Sequence, residues 1–401
     1  MTIAKTKEFK QTEIGEIPTD WGVKSVEDAL DNDWNESKDS VPKSEYKATG
    51  TYPIIDQSKD PVAGHTDDEN KVYRANLPLI IFGDHTRVLK YVDFPFVTGA
   101  DGTQLLKAKR DFYDPRFLFY ALKSLDIPNR GYNRHYKALK EKSLPHPPTP
   151  EQEKIAGVLS KLQMAVENQE RIVANLYEVK AATTARLFRE GLQGEPLKNT
   201  DIGEMPRSWQ AATLSTVCAD TGTLNPGKDP DKIIEYIDVS SVSREECRII
   251  SSTRYKGKDA PGRARNLVKH RDVIFATVRP TLRRVALIPK DFDGQLVSTA
   301  FCVIRAIEPK AYPEYLYYVV SSPTFIAQVG RLERGANYPA VTNTNVLSQK
   351  IPLPGYDEQK EIASELMKID KALSSNTEKA KHLSDLFTVT LNQLMTGKVR
   401  V

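Results

Sequence analysis

Histidines, cysteines and paired acids are where chemistry would have to start. The six histidines (His65, His85, His135, His146, His270 and His382) contain no His-x-x-x-His or His-Glu-x-x-His spacing, so the sequence sets no two imidazoles on one helix face. Cys218, Cys247 and Cys302 form no Cys-x-x-Cys pair, which argues against a thiolate metal site and a disulfide framework alike. Asp56 or Asp60 with Glu69, Asn70 and Lys71 imitates the acids-and-lysine set of a metal-dependent nuclease. Such triples arise freely in loops, and the second half of the chain has no counterpart. Asn225-Pro226-Gly227 and Asp229-Pro230-Asp231 do not match the Asn/Asp-Pro-Pro-aromatic loop of an amino-methylating enzyme. A Gly-x-Ser-x-Gly elbow, a phosphate-binding glycine loop and a dinucleotide fingerprint are all missing. The expectation is a non-catalytic chain with no metal and no cofactor of its own.

Basic clusters are more informative. Residues 244–290 hold thirteen Lys and Arg against four Asp and Glu, and residues 84–142 hold twelve against seven. Lys and Arg neutralise phosphates, while Arg, Asn, His and Tyr reach base edges or stack on bases. The DNA-contact candidates in the first half are Arg87, Lys90, Arg130, Tyr132, Arg134, His135, Tyr136 and Lys137. In the second half they are Arg263, Arg265, Arg279, Arg283, Arg284, Arg331, Arg334, Asn337 and Tyr338.

The elements that must position these residues come in two copies. Thr12-Glu13-Ile14-Gly15-Glu16-Ile17-Pro18-Thr19-Asp20-Trp21 recurs as Thr200-Asp201-Ile202-Gly203-Glu204-Met205-Pro206-Arg207-Ser208-Trp209, and Glu151-Gln152-Glu153-Lys154-Ile155-Ala156 recurs as Glu358-Gln359-Lys360-Glu361-Ile362-Ala363. The unit is duplicated at a period too long for a solenoid. Each copy begins with a mixed, strand-rich part. Strands are expected at Leu79–Phe82, Asp272–Ala276, Val285–Ile288 and Phe301–Ile304, and short helices at Pro115–Leu125 and Pro313–Ser321. Each copy ends in one long helix after a proline-rich stop. The first opens on Thr149-Pro150-Glu151-Gln152, with the pattern of a capping box, and both run without interruption to Gly191 or Gly397 save for Gly157.

With Ile155 at heptad position a, the a positions are Ile155, Leu162, Gln169, Leu176 and Thr183, and the d positions Val158, Ala165, Ile172 and Val179. The second copy places Ile362, Ile369, Asn376, Leu383 and Thr390 at a, widened by Leu366, Leu373, Ala380, Phe387 and Leu394. Such a repeat predicts a coiled-coil seam between two antiparallel rods related by a pseudo-twofold axis, the alternative being two separate amphipathic helices, each packed on its own domain. Residue 151 + x should then face residue 395 − x, with Gln169 and Asn376 as polar register residues near the midpoint. The length of 401 residues calls for at least two domains. The net charge of +4 excludes little, because a basic face can be cancelled elsewhere. No apolar run approaches the ~20 residues of a membrane span and the N-terminus lacks a signal-peptide core, so a cytoplasmic location is expected.

At this point the chain resembles the specificity (S) subunit of a type I restriction-modification enzyme. The resemblance rests on the paired Ile-Gly-Glu-Ile/Met-Pro-x-x-Trp openings, the two Glu-Gln-x-x-Ile-Ala helices, and Arg134-His135-Tyr136-Lys137 before the first proline stop. Tyr52-Pro53-Ile54-Ile55, Ile80-Ile81-Phe82-Gly83 and Thr98-Gly99-Ala100-Asp101-Gly102 also look like a known type of target-recognition domain. It implies an α+β chain with target-recognition domains at 1–148 and 192–355, and long spacer helices at 149–191 and 356–401. Each domain would read one half of a split, asymmetric target in double-stranded DNA. The helices would set the unread gap and dock two modification (M) subunits that methylate adenine, with restriction (R) subunits joining them. S-adenosylmethionine, ATP and Mg would sit on those partners. A stand-alone nuclease or methyltransferase with unfamiliar motifs, or a coiled-coil protein scaffold, are the alternatives.

Overall fold

The structure, a computed structural model, describes residues 8–34, 36–99, 102–128, 131, 134–335 and 339–401. Each repeated opening folds as a tight hairpin. Phe9–Thr12 pairs with Gly15–Pro18, and Leu197–Thr200 with Gly203–Pro206. Gly15 and Gly203 leave the turns at φ 99° and 111°, a conformation that disfavours a side chain. The tryptophans that follow, Trp21 and Trp209, are 1% and 0% exposed.

The strand-rich parts share one topology. In the first, a four-stranded sheet runs in the order Gly64–Thr66, Tyr52–Ile55, Phe96–Thr98, Val72–Tyr73, with its central pair parallel. In the second, Thr253–Lys256, Ile233–Ile237, Leu296–Ser298 and Ala264–Leu267 repeat that order and that parallel pair. A second sheet, Thr103–Leu106, Leu79–Gly83, Leu89–Val92, has its counterpart in Phe301–Ala306, Val273–Ala276, Val285–Leu287, to which Cys218–Ala219 is added. The fully buried run Leu79-Ile80-Ile81-Phe82 is the centre of its sheet, as its uninterrupted apolar character requires. Short helices follow at Pro115–Lys123 and Pro313–Ser321, and the second copy adds Pro323–Gly330.

The long helices span Thr149–Glu190 and Tyr356–Met395. The chain divides into two compact units, Met1–Arg171 with Glu378–Val401, and Ile172–Thr377, so each unit holds the beginning of one long helix and the end of the other. In the first unit Trp21 Nε1 donates to Glu151 at 3.0 Å. Arg400, beyond the other helix, binds Glu151 at 2.7 Å and Asp20 at 2.8 Å. In the second unit Trp209 Nε1 donates to Glu358 at 3.0 Å, and the same carboxylate accepts Leu192 N–H at 3.0 Å just past the end of the first long helix. Gly397 and Gly191 are equivalent: a Cβ there would fall 2.4 Å from Pro18 and 2.9 Å from Trp209 respectively. The repeated opening is therefore a clamp on a helix start and a helix end.

The repeated Gln differs from its expected part. Gln152 is fully buried; its amide accepts Asp114 N–H at 2.9 Å and donates to Phe112 and Pro147 carbonyls, so it ties the short helix to the long one instead of closing a capping box. Gln359 does the same with Tyr312, Lys310 and Pro354.

The heptad phase is also corrected. Ile172 and Val179, expected at d, are 44% and 49% exposed. Val158 and Ala165, expected at d, are partly covered, but the run that stays covered along the whole helix is Ile155, Leu159, Leu162, Val166, Gln169, Val173, Leu176, Lys180, Thr183 and Leu187, alternating steps of four and three. The stripe is a heptad with Ile155 at d, in the same phase as Ile362, Leu366, Ile369 and Leu373. Within the first unit Ile155, Ala156 and Leu159 share a core with Leu391, Leu394 and Met395; within the second, Leu187 shares one with Ile362, Ala363 and Leu366. Lys180 meets Asp370 at 2.5 Å, one turn from the expected partner at 366. Among the described residues no helix is long and apolar enough to cross a membrane.

Candidate nucleic-acid interface

In each unit a β-hairpin tip is tied to the segment that leads into the last short helix before the proline stop. In the first unit the tip follows Leu79–Gly83. Asp84, 2% exposed, accepts Tyr136 N–H through its carboxylate at 2.7 Å, and its carbonyl accepts His135 N–H at 2.9 Å. The His135 ring nitrogen Nδ1 lies 2.9 Å from the same carbonyl. Thr86 donates to the Gln57 carbonyl at 2.6 Å, and the Gln57 amide oxygen accepts His85 N–H at 3.2 Å. Glycine is required on both sides of this knot: a Cβ on Gly83 would fall 2.2 Å from Thr86 Oγ1, and one on Gly102 2.7 Å from Gln57 Nε2.

The tip of the second unit, between Val273–Ala276 and Val285–Leu287, is longer. Thr277 stands where Asp84 stands in the first: its carbonyl accepts Val341 N–H at 2.9 Å, and it donates twice to the Ala300 carbonyl. Arg279 N–H donates to the Pro339 carbonyl at 2.7 Å, and Arg334 and Ala340 exchange two backbone hydrogen bonds at 3.0 Å. Arg279 and Arg283 flank the turn Pro280–Leu282 at φ 50° and 54°, both left-handed.

The candidates chosen from sequence fall into three groups. Several have their polar groups engaged inside the protein. Arg87 Nη1 donates to the Ile127 carbonyl at 2.7 Å, Lys90 to the Asp60 carbonyl at 2.5 Å, and Arg284 Nη1 to the carbonyls of Val239 and Val242 at 2.7 and 2.5 Å. Burial lowers the Lys90 pKa, partly offset by the charges of Asp56 and Asp60, and burial lowers that of Arg284. His135 is 1% exposed, and the half-buried Tyr136 ring lies 6.4 Å from Phe82. Arg265 is half-buried over its own strand, with Nη1 on the Ala264 carbonyl. A second group is exposed: Arg134, with 83% of its side chain accessible, and Lys137, Arg263, Arg279, Arg283, Arg331 and Arg334. Arg130, Tyr132, Asn337 and Tyr338 lie outside the described residues. Gln169 is buried, and Asn376, half-buried, donates to the Ala372 carbonyl at 2.8 Å.

The basic excess of residues 244–290 is partly neutralised by nearby acids. Arg271 pairs with Glu314 and Glu308 at 2.6 and 3.0 Å, and Arg248 and Arg254 with Glu246 and Glu235. The nuclease-like set is structural: Asp56, 9% exposed, accepts Ser58 N–H and Tyr46 O–H, and Glu69 pairs with Arg74 at 2.7 Å. Sequence reasoning missed Asp84, Thr277 and Gln57, whose part is to hold loops together. Their signal was their place beside glycine or at the end of an apolar run, which is weak without a partner in view.

Comparison with known proteins gives a consistent result. The family described as "Type I restriction modification DNA specificity domain" matches residues 18–176 and 209–384. A type I restriction enzyme MjaX specificity subunit of Methanocaldococcus jannaschii is 26% identical over 426 aligned positions, covering 99% of this chain and 98% of its own. The EcoR124I/EcoR124II specificity subunit of Escherichia coli is 22% identical over 351 positions, covering 84% of each chain. The crystal structure of the S subunit of a type I restriction-modification system from M. genitalium matches with a TM-score of 0.63 over 97% of this chain and 99% of that one, at 16% identity, which shows a shared fold.

Proposed function

This chain belongs to the type I restriction modification DNA specificity domain family, and from that premise we propose that it is the DNA-recognition subunit of a type I restriction-modification complex in which each strand-rich half reads one arm of a split target. It works in the cytoplasm and performs no chemistry itself; methylation and cleavage belong to M and R subunits, which hold S-adenosylmethionine, ATP and Mg. The long helices pair antiparallel as a coiled coil about a pseudo-twofold axis and set the gap between the arms. Gln169 and Asn376 interrupt the two seams and fix their register, at some cost in stability.

The observation that carries this reading is the duplicated clamp: in each unit one opening holds the first turn of one long helix and the end of the other. Exposed apolar residues on the helices support two equivalent docking sites for M subunits. Ile172 and Val179 lie in the second unit and Leu386 and Val389 in the first; Val179 and Leu386 stand at the same place in the repeat. At the DNA, the exposed Arg134, Lys137, Arg263, Arg279, Arg331 and Arg334 make the contacts, and Arg283, exposed but with Nη2 3.3 Å from the Ser321 carbonyl, steadies the turn beside them. Arg87, Lys90, His135, Tyr136, Arg265 and Arg284 hold the tips that present them.

Methylated-base sequencing of cells expressing the chain with its M subunits tests the reading. A two-part target with an unread gap is expected. A contiguous target, or turnover by the purified chain alone with DNA, Mg and S-adenosylmethionine, would overturn it.

A further inference from the structure

The duplicated clamp poses a pairing problem. Both openings grip a helix start and a helix end through the same two residue types, Trp21 with Glu151 and Trp209 with Glu358. Those contacts do not tell the first half of the chain from the second, so they would equally let one half pair with the same half of another copy. Exchange of equivalent elements between copies is an easy route to unwanted dimers. Discrimination must come from residues that differ between the two junctions.

They differ in charge. In the second unit Lys180, near the end of the first long helix, pairs with Asp370 of the second at 2.5 Å, and the buried Tyr318 donates its hydroxyl to that carboxylate at 2.7 Å. Lys180 Nζ lies 5.9 Å from the centre of the Tyr318 ring. In the first unit Tyr120 holds the place of Tyr318, and the side chain against it is Phe387, with ring centroids 6.1 Å apart and Lys123 Nζ 5.0 Å from the Phe387 ring. Phe387 stands in the repeat where Lys180 stands, and Gln163 where Asp370 stands. The buried Gln163 Oε1, among the described residues, accepts no hydrogen bond. The clasp beyond the helix ends differs as well. Arg400 reaches Asp20 with both terminal nitrogens at 2.8 Å. Gly194 and Ser208 hold those two places in the second unit, where Ser208 N–H donates to Glu195 at 3.0 Å.

We propose that the Lys180–Asp370 and Arg400–Asp20 ion pairs are a pairing code that joins the first half of the chain to the second and rejects a second copy of the same half. Pairing like with like would set Asp370 against Phe387 and Lys180 against Gln163. It would also leave Asp20 facing Gly194, and Arg400 facing Ser208 with Glu358 as its one remaining carboxylate. Each of the four charges then loses an ion-pair partner, and the Lys180 and Asp370 side chains are only 27% and 31% accessible. A charge held away from water without its counter-ion is penalised, and a mismatch of that kind rejects a wrong partner where apolar contacts would accept it. Polar and charged residues at a helix seam choose partners in coiled coils in the same way. The code acts between parts of the protein and needs no DNA, so it stands or falls separately from the recognition reading.

The test uses the full chain, folded and then cut once at a protease site inserted after Gly194; the two pieces are separated in urea and re-paired by dilution. Native mass spectrometry counts mixed pairs against the two kinds of like pair. An ion pair of this exposure favours its partner by about two- to fivefold, and turning two mixed pairs into two like pairs breaks four of them, so mixed pairs should exceed the random ratio by roughly 16- to 600-fold. Lys180→Phe with Asp370→Gln gives the second junction the residues of the first and should lower that excess by roughly 4- to 25-fold. Lys180→Asp, which sets two carboxylates together, should lower it at least as far, and adding Asp370→Lys should restore it. The restored pair separates a code from general damage, since a merely structural loss at position 180 would not be repaired by a second change. Random re-pairing of the wild type, wild-type pairing by Lys180→Asp, or no recovery in the reversed pair would each overturn the proposal.

Discussion

Replacing Asp84 by alanine should loosen the first reading head without disturbing the second. The Asp84 carboxylate is buried and accepts the Tyr136 N–H at 2.7 Å, with Arg134 Nε 3.9 Å away on the other oxygen. A hydrogen bond to a charged group contributes about 1.5–3 kcal/mol. The main-chain bond from His135 to the Asp84 carbonyl survives the substitution, which caps the loss at that range. For a unit of this size each kcal/mol lowers the melting temperature by about 2–4 °C, so a fall of about 3–12 °C is expected. Asp84→Asn keeps an acceptor and loses the charge, and should fall between wild type and alanine. Hydrogen exchange at the Tyr136 amide reads the contact directly and should accelerate in the alanine variant. Target selection with the assembled complex should show weakened discrimination in one arm only. A melting temperature within about 1 °C of wild type, together with a Tyr136 amide as protected as before, would refute the assignment of Asp84 as the anchor of this loop.

The helices offer a paired comparison: Leu366→Ala, in the buried seam, should cost about 2–5 kcal/mol by chemical denaturation, whereas Val179→Glu, on the exposed stripe, should melt as wild type yet fail to co-purify M subunits. Arg400→Ala removes the clasp on Glu151 and Asp20 and should cost about 1–2 kcal/mol in the same assay. The Arg400 hydrogen bond holds the Asp20 carboxyl below its usual value, so that increment is present above the unfolded value near 3.8 and is lost as pH falls through the folded one; acid titrations of wild type and Arg400→Ala should converge at low pH. Burial pushes the Cys218 and Cys302 thiols up to about 12, which keeps them protonated and slow towards thiol reagents at pH 8 until the chain is denatured. With folded values above the unfolded value of 9.0, their contribution to stability is complete below that pH and is lost towards about 12, which alkaline melting curves should show for wild type and less for Cys302→Ala.

Much of the architecture was legible because repetition is visible without coordinates. Two matched openings and two matched helix starts announced a duplicated chain with two long rods, and both helices and the main strands fall where the apolar patterns put them. The strands around Tyr52–Ile55 and Ile233–Ile237 were less visible, since their pairing is parallel and long-range. The heptad phase was misjudged because Ile172 and Val179 are as apolar as Leu159 and Val173. Only packing distinguishes a covered stripe from an exposed one.

The recognition surface divides the same way. Composition located the basic segments, but it counts an arginine capping a carbonyl, as Arg284 does, equally with one whose side chain is mostly accessible, as Arg134's is. The repeat, the rods and the absence of familiar catalytic spacings are properties of residue order, so the sequence alone determined them. Which bases stay exposed, which carboxylates fasten the tips, and that Glu151 and Glu358 hold helix ends remote in the chain were decided by tertiary structure, because burial and hydrogen-bond partners across more than a hundred residues are set only when the fold closes.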